Sequence, residues 1–199
     1  MTHAATGRLR APLDDQVELV DLPPAAYLAV DGTGDPNTAP AHAEAVQALF
    51  AAAYTLRFAL RRDGVDARVG PLEGLWASDG PLAFDAAGRE RWSWTMMIGQ
   101  PMQVTARMVE EAVADAGRRR RLPALARLRL QTLHEGLAAQ VLHVGPYSEE
   151  LPTIERLHRF IDEQGLVPTG RHHEVYVGDP RRTAPARLRT VLRQPVRRP

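Results

Sequence analysis

The 199-residue chain is 44% apolar and 25% charged, a balance that supports a substantial buried core and excludes disordered and fibrous classes. Its 25 basic residues are all arginine, set against 24 acids, so the formal charge of +1 gives no general attraction to nucleic acid or anionic membrane; the absence of lysine excludes Schiff-base chemistry. With no cysteine there are no disulfides, thiolate nucleophiles, thiolate zinc sites or iron–sulfur clusters, which suits a reducing compartment.

The opening segment MTHAATGRLRAPLDDQVELV has no apolar run long enough for a signal peptide, and no later window approaches a membrane span. A cytoplasmic protein without a membrane partner is expected. VELVDL and YLAVDG read as strands on either side of Pro23-Pro24, with the spacing of a hairpin. From about Ala39 to Arg62, Ala45, Leu49, Ala52, Leu56 and Leu60 recur at helical intervals and predict an amphipathic helix ending before Gly64. PLEGLWAS and RWSWTMMIG follow as strands, separated by the turn-rich SDGPLAFDAAGRE. Val104, Met108, Ala112 and Ala116 mark a second helix that ends in the run Arg118 to Arg121.

A similar order then returns. ARLRLQTL and LAAQVLHVG read as a hairpin turning at His134-Glu135-Gly136. Ser148 has the chemistry of an N-cap with Glu149 and Glu150 in the first turn, and Ile154, Leu157 and Ile161 carry a helix that stops at Gly165. HEVYV and RLRTVLR close the chain as strands. Gly64 and Gly165, like Glu73 and Glu174, stand 101 positions apart, which argues for an internal duplication.

On these residues the sequence resembles the GyrI-like small-molecule-binding family over nearly its whole length. The resemblance is carried by Pro71-Leu72-Glu73-Gly74-Leu75-Trp76, His143-Val144-Gly145-Pro146-Tyr147, and His172-His173-Glu174-Val175-Tyr176 followed by Asp179-Pro180-Arg181-Arg182-Thr183. It implies an α+β fold of two fused βαββ modules with pseudo-twofold symmetry, antiparallel sheets and a central ligand groove. The modules would span about 15–103 and 122–199, joined by a linking helix at about 104–121, in a single domain. It further implies a central glutamate in the groove, which Glu174 matches.

On a strand His172, Glu174 and Tyr176 share one face, while His173, Val175 and Val177 share the other. Glu174 is therefore the candidate catalytic residue, a general base for hydrolysis of strained, cyclopropane-bearing genotoxins, an activity that the resemblance brings with it. Tyr176, Tyr147, Tyr54, Phe58, Glu73, Trp76 and Trp94 are the candidate substrate-binding residues. Each has a structural alternative. Glu174 suits an ion pair with an arginine such as Arg189, Glu73 suits the same, and Trp94 suits core packing against a helix. By parity Trp76 faces away from Glu73. The His172-His173 pair points to opposite faces, so no metal and no cofactor is expected. The arginine runs lack the interleaved aromatics of single-strand binders, so the expected partner is a bulky apolar, planar aromatic or cationic small molecule and not nucleic acid. An exposed apolar groove would also serve as a homodimer surface. Three functions stay open at this level: hydrolysis of an electrophilic ligand, sensing or sequestering of a ligand without turnover, and a gyrase-inhibitor-like protein contact.

Overall fold

The computed structural model describes residues 12, 15–77 and 86–199. The chain runs β1 (Glu18–Leu22), β2 (Ala25–Thr33), α1 (Pro40–Arg62), β3 (Leu72–Ala77), β4 (Ser93–Gln100), α2 (Ala106–Arg119), β5 (Arg129–Leu133), β6 (Gly136–Val144), α3 (Leu151–Glu163), β7 (Val167–Pro168), β8 (His172–Tyr176) and β9 (Arg189–Arg197). This is the mixed α+β architecture that the sequence implies. Part of the turn expected over 78–90, residues 78–85, lies outside the described residues.

Two compact units divide the chain. Among the described residues the first holds 25–72, 77 and 86–133, and the second holds 12, 15–24, 73–76 and 134–199. The linear boundary expected between modules is thus crossed. β1 belongs to the second unit and pairs with β6, whereas β2 and β5 belong to the first and pair with each other. These pairings replace both expected hairpins. At the first, Pro23-Pro24 fixes two successive φ angles and removes two donors, which favours an extended connection over a tight turn.

In the first unit β2 lies between β4 and β5, both antiparallel to it, with Leu28 opposite Ile98 on one side and Leu130 on the other. The stripe Ala45, Ala48, Leu49, Ala52, Leu56 and Leu60 of α1 is buried, and the helix lies on β2 and β4. Its many alanines allow close approach. α2 opens on Thr105, whose Oγ1 accepts from the Met108 N–H at 3.3 Å, and buries Val109, Ala112 and Ala116. The Trp94 ring lies over Gly32, its partner across the β2–β4 ladder, and a Cβ at Gly32 would fall inside that ring. Gly32→Ala is therefore expected to destabilise the fold by about 1–3 kcal/mol, since the fully buried indole has nowhere to move. Thermal or denaturant unfolding reads this out, and an unchanged midpoint would contradict it.

In the second unit the strand order is β1-β6-β9-β8-β3, with β7 on β9. α3 buries Thr153, Ile154, Leu157 and Ile161 and lies against β6 and β9. The helix starts later than the Ser148 signal suggests. Pro152 sits in the first turn, where its missing N–H costs nothing, so Glu150 becomes the N-cap, and Ser148 falls in a short 3-10 turn over Tyr147–Glu149. The stop signals do repeat. After α1 and after α3, Gly64 (φ +80°) and Gly165 (φ +62°) adopt left-handed backbone, and Val65 N and Leu166 N donate back to Leu60 O and Ile161 O at 2.9 and 3.0 Å.

Candidate functional site

β8 is buried along most of its length, so the alternation of its side chains decides what each face contains. On the α3 side the Tyr176 hydroxyl donates to Glu174 Oε2 at 2.7 Å and accepts from Trp76 Nε1 at 3.2 Å. This chain of donors runs Trp76 to Tyr176 to Glu174. The partner of Glu174 is thus a phenol, and the Arg189 pairing does not form; across the β8–β9 ladder Glu174 faces Leu192. Gly74 makes room for the arrangement, because a Cβ there would lie 2.7 Å from Trp76 Nε1 and 3.2 Å from the Tyr176 hydroxyl.

A second carboxyl group shares this region. Glu150, at the head of α3, is 6% exposed and Glu174 9%. Burial and, after it, the Glu174 charge push Glu150 up to about 9, with Thr190 partly opposing. Burial also raises Glu174, but only to about 7, because the Tyr176 hydroxyl, the His173 charge and the Trp76 indole favour its ionised form. The two acids are driven apart: near neutrality Glu174 gives up its proton first and Glu150 keeps its own. Tyr176 and Tyr147 remain phenols, the first raised well above its ordinary value and the second to about 12, each chiefly by burial. His172 Nε2 lies 3.7 Å from Glu174 Oε1, too far for a hydrogen bond, and burial drives its pKa down to about 3, so it stays neutral.

Tyr147 completes the cluster. Its ring meets Tyr176 edge-on, with centroids 5.5 Å apart at 74°, while 40% of the residue stays exposed. The loop that carries it is held from below by His143. Thr153 Oγ1 lies 3.1 Å from Nδ1 and the Pro146 carbonyl 3.3 Å from Nε2, so Nε2–H donates to the carbonyl and Nδ1 accepts from the hydroxyl.

Glu73 does not join Glu174. It lies on the opposite face of the sheet, where its Oε2 faces His173 Nε2 at 2.9 Å. The offset of 101 is odd, whereas the contacts Glu73–His173 and Trp76–Tyr176 both span 100 positions. A shift of one residue along a strand reverses the face, which is why the repeated glutamate goes one way and Trp76 the other. The remaining aromatics of the expected set belong to the first unit. Trp94 is packed in its core, with Nε1 donating to Gly34 O at 3.3 Å and the ring edge-on to His42. Tyr54 and Phe58 lie on α1 and are 47% and 58% exposed.

Glu150 is the residue that sequence reasoning missed as part of the site. Its raised pKa has a consequence for folding. The neutral form fits the native state, so the stability it brings is full below the ordinary value of 4.5 and is lost as the pH climbs toward about 9. Glu150→Gln is expected to raise Tm by several degrees at about pH 8 and by much less at about pH 5. Equal shifts at both pH values, read by calorimetry, would contradict the buried protonated acid.

The family of GyrI-like small molecule binding domains matches residues 15–197. Among solved structures, a conserved protein from Listeria innocua described as uncharacterized is 38% identical over 92% of this chain and 93% of its own, with a TM-score of 0.85. A hydrolase from Listeria innocua is 35% identical over 96% and 95%, with a TM-score of 0.81. A hydrolase encoded by lin2189 from the same organism is also 35% identical, over 92% and 93%, with a TM-score of 0.81. No curated protein sequence matches the chain. With the family match spanning nearly its full length, the chain belongs to the GyrI-like small molecule binding domains.

Proposed function

We propose that this protein binds a bulky, largely apolar or planar aromatic small molecule beside Glu174 and hydrolyses it at a strained, electrophilic carbon such as that of a cyclopropane conjugated to a carbonyl. One observation carries the reading: two buried carboxyl groups in one aromatic cluster, held at different protonation near neutrality. That is the equipment of a general base and a general acid. Two relatives described as hydrolases, each about a third identical to this chain, support turnover over simple binding.

In this reaction Glu174 takes a proton from water as its oxygen forms a bond to the ring carbon. The strained carbon–carbon bond breaks, and its electron pair passes into the conjugated carbonyl, whose oxygen takes a proton from Glu150 or from a tyrosine hydroxyl. Atoms and charge balance with water as the sole co-reactant. Tyr176 and Trp76 hold the carboxylate in place, and the half-exposed Tyr147 ring offers an aromatic face to the ligand body.

The test is incubation of the purified protein with a cyclopropane-bearing alkylating compound in ¹⁸O-labelled water, followed by mass spectrometry. A ring-opened product carrying one labelled oxygen, formed faster than without protein, is the expected result. Tight binding with quantitative recovery of intact compound across a panel of such compounds would overturn hydrolysis and leave a sequestering protein.

A further inference from the structure

Behind the strand that carries Glu174, on the opposite face of the sheet, lies a group of charges that hydrolysis does not use directly. His173 is fully buried. Its Nε2 faces Glu73 Oε2 at 2.9 Å and its Nδ1 faces Glu135 Oε1 at 2.9 Å, so both ring nitrogens meet carboxylate oxygens. A neutral imidazole has one N–H and can satisfy only one of them. Two carboxylate partners require both nitrogens to donate, which makes the ring an imidazolium.

Arg193 extends the group. Its Nη1 donates to Glu135 Oε2 at 3.1 Å, and its Nε and Nη2 donate to Gln140 Oε1 at 3.2 and 3.0 Å. Arg193 Nη1 also comes within 3.4 Å of His173 Nδ1, a contact between two donors that Glu135 bridges. Gln140 in turn donates to Glu18 Oε1 at 2.8 Å. Two cations and two carboxylates, from β3, β8, β9 and the turn before β6, therefore balance in a buried quartet.

We propose that His173 is a positioning residue for Glu174, a buried cation clamped from two sides that fixes the strand beneath the catalytic carboxylate and favours its ionised form from the reverse face. The inference rests on Glu174 being the working base of the proposed hydrolase. His173 and Glu174 are adjacent on β8, so side-chain alternation sends the cation and the carboxylate to opposite faces with only the strand backbone between them. The groups that face Glu174 from other elements are Glu150 at the head of α3, Trp76 on β3 and Tyr147 on its loop, with His172 and Tyr176 on β8 itself. His172 is neutral, and the others are neutral donors or a second acid. None of these groups is a cation, whereas His173 acts on Glu174 as one from the reverse face, in keeping with the downward pull it exerts on that carboxyl.

The experiment reads the Glu174 titration directly, by carbon-13 NMR of side-chain carboxyls in the full chain, with the resonance assigned by its loss in Glu174→Gln. It needs neither ligand nor turnover, so failed hydrolysis and a failed role for His173 are separate outcomes. His173→Gln is expected to raise the Glu174 midpoint by about one pH unit or more, a tenfold change in its ionisation constant. Glu73→Gln, whose amide oxygen can still accept from Nε2–H while Glu135 holds the charged ring at Nδ1, removes only a negative charge and is expected to leave the midpoint unchanged or lower it. Opposite responses identify a charge effect. An unchanged midpoint in His173→Gln, or equal rises in both variants, would overturn the proposal, because a merely loosened strand moves both alike. If His173→Gln does not fold, nitrogen-15 shifts of the wild-type imidazole decide the question: the ring must stay doubly protonated while Glu174 titrates, and a neutral ring at neutral pH overturns the proposal.

Discussion

Glu174→Gln is expected to lower turnover about 10³-fold while changing ligand affinity by no more than a few-fold. The amide keeps the shape of the side chain and can still accept the Tyr176 hydroxyl through its oxygen, so the Trp76–Tyr176 chain stays in place. What it loses is the capacity to take a proton. The wild-type rate should rise with pH as Glu174 ionises near about 7 and fall again as Glu150 loses its proton near about 9. Glu150→Gln should keep the rising limb, lose the falling one, and reach a lower plateau. Steady-state rates across this range, paired with binding measurements on the inactive variant, check both statements. A Glu174→Gln protein that retains more than about a tenth of the rate would take the base role from this residue.

Much of the fold and part of this site can be read from the sequence, for physical reasons that differ by residue. The helices are legible because their apolar stripes recur at helical spacing and their ends carry Gly64 and Gly165, whose left-handed backbone suits glycine. The face shared by Glu174 and Tyr176 follows from strand alternation alone. Strand partners are not legible, since β1 and β2 each read as strands but nothing local states that they pair with β6 and β5 in place of each other. The destination of Glu73 fails for a related reason: an offset of 101 looks like equivalence until parity is applied across the β3–β8 contact. Glu150 reads as a helix-start acid, yet its place in the site follows from the same helical spacing. It heads the stripe of Ile154, Leu157 and Ile161 at intervals of four, seven and eleven, so an acid stood where the helix buries its side chains. Ser148, the better capping residue by chemistry, masks this register in the sequence.

The largest effect on stability is expected at Arg193. Arg193→Met removes one cation from the buried quartet and leaves Glu135 with His173 as a charged partner, while Gln140 Oε1 loses the two hydrogen bonds from the guanidinium. Breaking such a pair from one side costs about 3–5 kcal/mol, because a charge is left in a dry environment without full compensation, and Tm should fall on the order of 10 °C. The companion variant tells pairing from packing. In Arg193→Met with Glu135→Leu the charges leave as a neutral couple, His173 keeps Glu73, and at least half of the lost stability should return. The pH dependence has a defined sign. The partners of His173 raise its pKa above 6.5 against the opposing effect of burial, so its contribution is complete below that value and is lost as the pH rises through the higher folded one. Glu135 is lowered below 4.5 by His173 and Arg193 although burial opposes them, so its contribution is present above that value and is lost as the pH falls through the lower folded one. Between these limits His173 and Glu135 both carry their charges, and there the penalty for Arg193→Met should be greatest. A penalty under about 1 kcal/mol at neutral pH, or a double variant no more stable than the single one, would mean that packing and not charge pairing holds these strands together.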